Sequence, residues 1–267
     1  MYLQLIPHSS APWRSEEALR NNVSVVGTVH NSCHTAFLST SAPHHISSST
    51  DLNGPFLAPD KLETGLLQNK KWASRYRELF PTLAVGQQPE ILWIGCSDSR
   101  CPETAILGLK PGDVFVHRNI ANVIHYSDLN SACVIEYAVV HLKVKHIVVC
   151  GHTACGGVNA ALGNTKLGIL DAWLLPLRRL RQQNLAALQA LDPSEAIVKL
   201  SELNIMDGVA KLKENSAVLD AIEQRGLKVH GLIYDVASGL LRSLGGGDDA
   251  EPHDFIKSRL TAFKTQA

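Results

Sequence analysis

Two short apolar runs in this chain end in metal-binding side chains, and that pairing restricts the fold more than any other feature. The first run is Ile91-Leu92-Trp93-Ile94-Gly95, followed at once by Cys96-Ser97-Asp98-Ser99-Arg100. The second is His146-Ile147-Val148-Val149-Cys150, followed by Gly151-His152-Thr153-Ala154-Cys155-Gly156-Gly157. Continuous apolar runs of this length read as strands buried on both faces, the mark of a parallel sheet. In open parallel sheets, sites form beyond the carboxyl ends of the strands, where connections reverse. If the two turns meet, two thiols and one imidazole face one another.

A borderline-soft ion such as zinc takes thiolate and imidazole in tetrahedral geometry. Cys96, His152 and Cys155 would leave its fourth position to water, the arrangement of a catalytic site. A purely structural site would be closed by a fourth protein ligand; the close candidate is Asp98, with Cys101 a weaker alternative. Two thiolates already neutralise the ion, so a bound carboxylate would leave the site negative, and Arg100 can oppose that charge. Cys-x-Asp-x-Arg therefore suggests two states: Asp98 on the metal, or Asp98 paired with Arg100 while water fills the vacancy. The competing reading of any single cysteine is a small buried hydrophobe. Cys133 and Cys150 are read that way, and His117, His125, His141, His146 and His230 as structural or surface groups.

The 267 residues, 45% of them hydrophobic, suffice for one large domain or two small ones. Lys+Arg and Asp+Glu balance at 25 each, so no global basic surface argues for nucleic acid or an anionic membrane, and a small substrate is expected. Cysteines at 33, 96, 101, 133, 150 and 155 are too sparse for the disulfide framework of a small secreted domain, which favours a reducing compartment. No apolar run approaches the roughly 20 residues that cross a bilayer.

Residues 1–55 crowd Ser, Thr, His, Asn and Pro together and read as a disordered extension or a transit peptide, with the functional domain over 56–267. The absence of acidic residues between Ala18 and Thr50 favours a mitochondrial matrix presequence. Against it stand Glu16-Glu17 and the scarcity of basic residues, Arg14 and Arg20 alone before position 51, so a cytosolic tail is the alternative. From Lys61 the pattern becomes globular. Leu62, Leu66, Leu67, Trp72, Tyr76 and Leu79 recur at helical spacing as an amphipathic arm. Strands are predicted over 91–95, 114–117 and 146–150 and helices over 131–141, 172–191 and 195–214; a last strand pair over 227–234 and 240–244 flanks a turn at Asp235 to Gly239. The fold class is α/β with a parallel sheet.

At these residues the chain resembles the β-class carbonic anhydrases, whose signatures are Cys-x-Asp-x-Arg after a strand and a later Gly-His-x-x-Cys-Gly turn. The likeness extends from Asn69-Lys70-Lys71-Trp72 through Gly112-Asp113-Val114-Phe115-Val116-His117-Arg118-Asn119-Ile120-Ala121-Asn122 to Val229-His230-Gly231-Leu232-Ile233-Tyr234. It implies a four-stranded parallel sheet with an added antiparallel strand, flanking helices, and an N-terminal helical arm that embraces a partner in a homodimer or tetramer. It implies one zinc per chain on Cys96, His152 and Cys155, with Asp98 and Arg100 as the dyad that gates and orients a zinc-bound hydroxide. The implied reaction is reversible hydration of carbon dioxide to bicarbonate and a proton, favoured at alkaline pH. Gln87, in Gly86-Gln87-Gln88-Pro89, matches a glutamine that reaches a neighbouring subunit's site. Trp93, Arg118 and Tyr234 match a non-catalytic bicarbonate pocket that stabilises the Asp-ligated state in part of the family; ordinary strand aromatics are the alternative.

Two departures stand out. Thr153-Ala154 replaces an aromatic and a glycine common between the zinc His and Cys, and Gly208 stands where a larger residue is usual, which weakens its helix by up to about 1 kcal/mol. Two rivals share the ligands: a carbon disulfide or carbonyl sulfide hydrolase of the same fold, and a non-catalytic bicarbonate-binding zinc protein. The intact Asp98, Arg100 and Gln87 argue against the second. The proton shuttle is unassigned, with His125 and Tyr126 worth testing.

Overall fold

The structure, a computed structural model, describes residues 60–245; the extension predicted over 1–55 lies outside them. One sheet runs in the order β2-β1-β3-β4-β5, built from β1 (Ile91–Cys96), β2 (Val114–Asn119), β3 (His146–His152), β4 (Lys228–Tyr234) and β5 (Leu241–Ser243). The first four strands are parallel and β5 returns antiparallel to β4, as the sequence led one to expect. β1, β2 and β3 each run slightly beyond their predicted ends, to Cys96, Asn119 and His152. Cys96 and His152 are thereby held by ladder pairing instead of belonging to free turns.

β1 lies between β2 and β3. The chain therefore leaves β1 towards one side and re-enters the sheet on the other, which opens a crevice beyond the carboxyl ends of β1 and β3. Gly95 pairs with Cys150 and His152 with Tyr234, so Cys96 stands one step before His152 on the neighbouring strand.

The helices are α1 (Lys61–Arg75), α2 (Phe80–Val85), α3 (Glu103–Leu107), α4 (Leu129–Glu136), α5 (Gly156–Leu162), α6 (Leu170–Trp173), α7 (Leu175–Gln183), α8 (Leu185–Gln189), α9 (Pro193–Glu214) and α10 (Ser216–Arg225). α1 opens with a closed capping box: the Glu63 N–H donates to Asp60 Oδ1 at 2.8 Å and the Asp60 N–H to Glu63 Oε2 at 3.2 Å. The helix predicted over 131–141 starts earlier, at Leu129, where the Asp128 carboxylate accepts the Asn130 and Ser131 N–H groups. It ends in a wider turn in which the Leu142 N–H reaches the Tyr137 carbonyl at 3.0 Å. On α4 Ser131 and Ile135 are buried, and Cys133, two residues from each, lies on the opposite face and is exposed. The core placement expected for Cys133 is therefore corrected by helical periodicity.

The single helix predicted over 172–191 is three short ones. Pro176 has no N–H for the Ala172 carbonyl, which breaks the run at Leu174. At Asn184 the backbone leaves helical values and the side chain donates to the Leu180 carbonyl at 2.9 Å. α10 adds to the elements read from the sequence; Asn215 caps it by accepting the Val218 N–H, and Gly226, at φ +68°, closes it.

Side chains alternate across the sheet. Leu92, Ile94, Ile147, Val149, Val229 and Ile233 pack with Ile135, Val139, Ile205, Val209, Leu212 and Val218 of the helices as the main core. Trp93, Val148 and Cys150 face the other way with Tyr234 and Leu241, so the core reading of Cys150 holds. α9 crosses behind β3 and β4, and Gly208 is buried against them. A Cβ at Gly208 would stand 3.2 Å from Val149 Cγ1 and 3.4 Å from Ile124 Cδ1, so the residue that weakens helix propensity also permits the close approach of α9 to β3.

Candidate active site

The crevice beyond β1 and β3 holds the expected trio. Cys96 Sγ and Cys155 Sγ are 3.9 Å apart, and these two atoms and an imidazole nitrogen of His152 lie within 4.8 Å of one another. Two thiolates on a tetrahedral zinc, each at about 2.3 Å, stand roughly 3.8 Å apart. Cys96, His152 and Cys155 are only 6%, 1% and 1% exposed. His152 Nδ1 lies 2.9 Å from the Thr153 carbonyl, which can only accept, so Nδ1 carries a proton and Nε2 is the nitrogen that would turn its lone pair to a metal once its own proton is lost. That Nε2 is buried without a hydrogen-bond partner, a costly condition that a metal relieves. The donor set, the spacing and the orphaned nitrogen all fit zinc. No other group of this kind occurs among the described residues.

Asp98 borders the trio without joining it. Arg100 donates to Asp98 Oδ1 through Nε at 2.9 Å and to Oδ2 through Nη2 at 2.7 Å, with its backbone N–H adding a third bond at 2.9 Å. Asp98 Oδ2 stands 3.8 Å from His152 Nε2, and the Asp98 N–H donates to Cys96 Sγ at 3.4 Å. Arg100 Nη2 also donates to the Ala154 carbonyl at 3.1 Å, tying the first turn to the second. Ala154 occupies the left-handed region at φ +55°, where an alanine is strained by about 1–2 kcal/mol. A glycine at that position would relieve this strain.

Charges are strongly coupled here. Hydrogen bonds from Arg100 hold the Asp98 carboxyl well below the usual carboxylate range, against the opposing effect of burial. The contact between the two thiols lowers Cys96 and raises Cys155, so the pair gives up its first proton readily and its second reluctantly. Burial pulls the His152 imidazole down, but the thiols of Cys101 and Cys96 outweigh it and leave it pushed up to about 10.

The remaining predicted residues fall in separate places. Cys101 is buried near His152 but outside the trio. Arg118 donates to the Cys96 carbonyl at 2.8 Å and the Asp98 carbonyl at 2.5 Å, and its Nη1 lies 3.8 Å from Glu103 Oε2. Trp93 and Tyr234 share the apolar cluster on the far face of the sheet. Gln87 is exposed and lines a groove with Leu83, Val85 and Gly112, before the start of β1, whereas Cys96 ends that strand. His125 Nε2 donates to the Trp173 carbonyl at 2.9 Å and Tyr126 donates to Glu214 at 2.5 Å, both in a side pocket with Lys211. His117 is buried beside Asn119, its pKa lowered by burial, as a structural histidine should be. His146 and His230 face each other at 3.1 Å, a pairing across β3 and β4 that neither residue's sequence context reveals. The sequence reading also missed Asp235, whose carboxylate accepts the Thr153 hydroxyl at 2.9 Å. Its only local signal is that of a turn-opening aspartate.

A mostly parallel α/β sheet with a Cys-His-Cys centre at its switch point defines a class of metalloenzyme in which strand ends supply the ligands. Residues 91–241 match the family model described as carbonic anhydrase. A carbonic anhydrase of Emericella nidulans is 48% identical over 184 residues, 66% of this chain and 80% of that protein. The crystal structure of the β-carbonic anhydrase CafA of Aspergillus fumigatus superposes with a TM-score of 0.73 at 64% identity, covering 78% of this chain and all of that one. One of two tetrameric β-carbonic anhydrases of Sordaria macrospora gives 0.68 at 50% identity over 70% of this chain and 98% of its own. The chain belongs to the carbonic anhydrase family, in its β class, and is an enzyme of that type.

Zinc requires deprotonated ligands. With Cys96 already a thiolate near neutrality, and His152 and Cys155 protonated below about pH 10, loading the metal-free protein near pH 8 is expected to release about two protons per zinc. Affinity then rises with pH. Calorimetric titration in buffers of different ionisation enthalpy reads the proton count, and a count of zero contradicts this charge state.

Proposed function

We propose that the chain catalyses reversible hydration of carbon dioxide to bicarbonate and a proton at a zinc held by Cys96, His152 and Cys155. The observation that carries the reading is the Asp98 carboxylate, bidentate on Arg100 with Oδ2 3.8 Å from His152 Nε2, beside the ligand trio yet outside it. Bound there, zinc supplies a Lewis acid that acidifies a coordinated water, to about 7 in the three-histidine carbonic anhydrases and less far where two thiolates donate charge. Asp98, kept ionised by Arg100, is a pure acceptor. It takes the O–H hydrogen bond of the attacking group and so directs the oxygen lone pair at carbon dioxide. Its pKa is too low for its own titration to shape a profile between about pH 6.5 and 9. Turned from Arg100 towards the trio, the same carboxylate would close the site.

Gln87 donates its amide N–H to a substrate oxygen in the site of a second copy. Its placement before β1, away from the strand end that carries its own chain's Cys96, supports action between chains. The α1 arm, with Leu62, Leu66 and Leu67 more than 60% exposed, offers a second copy an apolar grip. The assembly is a homodimer or a tetramer of such dimers.

Trp93, Arg118 and Tyr234 form an inhibitory bicarbonate pocket. Arg118 already holds the carbonyls of Cys96 and Asp98, so an anion that draws on its guanidinium pulls on both turn residues at once. Residues 1–55 direct the chain to the mitochondrial matrix; subcellular fractionation with N-terminal sequencing tests this, and a cytosolic chain that retains Met1 overturns it.

Stopped-flow hydration between about pH 6.5 and 9 on zinc-loaded protein is expected to show activity rising with pH, and Asp98→Ala to lower kcat/KM by about 100-fold. Full zinc occupancy without hydration at any pH would redirect the reading to sulfur-containing substrates or a sensor. Adding bicarbonate at the acid end of that range should inhibit and bring an oxygen ligand from Asp98 onto zinc, visible by X-ray absorption. Zinc coordination indifferent to pH and to saturating bicarbonate would rule the pocket out. Mixing Gln87→Ala chains with Cys96→Ala chains should restore hydration that neither has alone, since hybrid dimers pair an intact metal site with an intact glutamine; no recovery after subunit exchange would place Gln87 in its own chain's site or outside catalysis.

A further inference from the structure

Only Thr153 and Ala154 separate the ligands His152 and Cys155, and each is fastened to a different part of the chain. Arg100 holds the Ala154 carbonyl from one side. On the other side the Thr153 hydroxyl donates to Asp235 Oδ1 at 2.9 Å and accepts the Val236 N–H at 3.0 Å, while the Thr153 N–H donates to the Tyr234 carbonyl at 2.9 Å. Asp235 is itself immobilised: its carboxylate accepts the Ser238 hydroxyl at 2.5 Å and the N–H groups of Ala237 and Ser238 at 3.2 and 3.1 Å. The turn between β4 and β5 is thus latched onto the turn between two ligands.

We infer that Thr153 and Asp235 are positioning residues for the metal ligand His152, and that their hydroxyl–carboxylate bond sets how firmly zinc is held. The link is the Thr153 carbonyl, which accepts the His152 Nδ1 proton and thereby fixes both the tautomer and the ring orientation. A carbonyl orients an imidazole only if its own peptide cannot rotate. The Thr153–Ala154 peptide that carries this carbonyl lies between two anchors: Thr153, held by its N–H and by both functions of its hydroxyl, and the Ala154 carbonyl, held by Arg100. The left-handed Ala154 that follows gives the turn a reason to move, because a strained conformation persists only where its surroundings over-determine it. Without the hydroxyl, the turn is free to relax, the His152 ring loses its aim, and the zinc bond loosens.

The inference rests on Cys96, His152 and Cys155 being the zinc site, and the test separates the two claims. Zinc release to a chromogenic chelator is followed for the full chain and for Thr153→Val, Thr153→Ser, Asp235→Ala and the Thr153→Val/Asp235→Ala pair, with thermal unfolding of each metal-free protein alongside. Thr153→Val and Asp235→Ala are expected to speed release about 10-fold, within the range for groups that support a metal ligand. The pair should be no faster than either single change, since the two groups act as a unit, and Thr153→Ser should restore the parent rate. Release at the parent rate from both single variants overturns the inference. So does faster release that Thr153→Ser fails to correct and that tracks a loss of metal-free stability, because that is a folding effect. If Thr153→Val does not fold, Asp235→Ala with Thr153→Ser decides alone. A parent chain that binds no stoichiometric zinc refutes the metal site itself and not the latch in particular.

Discussion

Gly95 pairs with Cys150 across the parallel ladder of β1 and β3, and that single register determines where Cys96 and His152 stand. A slip of one residue would turn Ile147 and Val149 out of the main core and carry His152 out of step with Cys96. The register is enforced by the apolar set on one face, Leu92 and Ile94 on β1 and Ile147 and Val149 on β3, all fully or almost fully buried against α4 and α9. β2 adds a second restraint, since Arg118 binds the carbonyls of Cys96 and Asp98 just where β1 ends. Two members of the trio are thus carried by paired strands, and only Cys155 is supplied by a turn.

That turn concentrates the unfavourable features of the fold. It holds an imidazole nitrogen without a hydrogen-bond partner and an alanine at positive φ, each of which opposes folding on its own. The packed sheet and helices offset them, and the bond from Arg100 to the Ala154 carbonyl and that from the Thr153 hydroxyl to Asp235 keep the turn in place. A site whose local choices conflict with stability, within a core whose choices agree, is the usual division between function and scaffold.

The sheet and the cluster of Cys96, His152 and Cys155 were legible in the sequence because their signals are local: apolar runs of strand length, each followed within a few residues by thiol or imidazole side chains. The strands ended later than predicted because ladder pairing, a non-local effect, carries order past the apolar run to Asn119 and His152. The helix over 172–191 failed at Pro176 and Asn184, where loss of a donor and a competing side-chain bond outweighed an apolar pattern that looked continuous. Cys133 was misjudged because burial on α4 follows its phase, and the sequence alone did not fix that phase. Gly208 looks unfavourable in a helix until Val149 is found opposite it. Asp235 reads in the sequence only as a turn residue, because its partner Thr153 lies 82 positions earlier and only the pairing of β3 with β4 brings them together.

α1 has fifteen residues and a closed capping box, yet none of its side chains is buried. A helix of that length is marginal on its own in water, whatever its capping. Leu62, Leu66 and Leu67 stay more than 60% exposed, so a surface that covered them would supply free energy that keeps α1 wound. Winding and covering then form one equilibrium and obey mass action. A dilute solution and a concentrated one would hold chains with the same sheet and different amino-terminal helicity, and the order of the first described segment becomes a property of the population more than of the single chain.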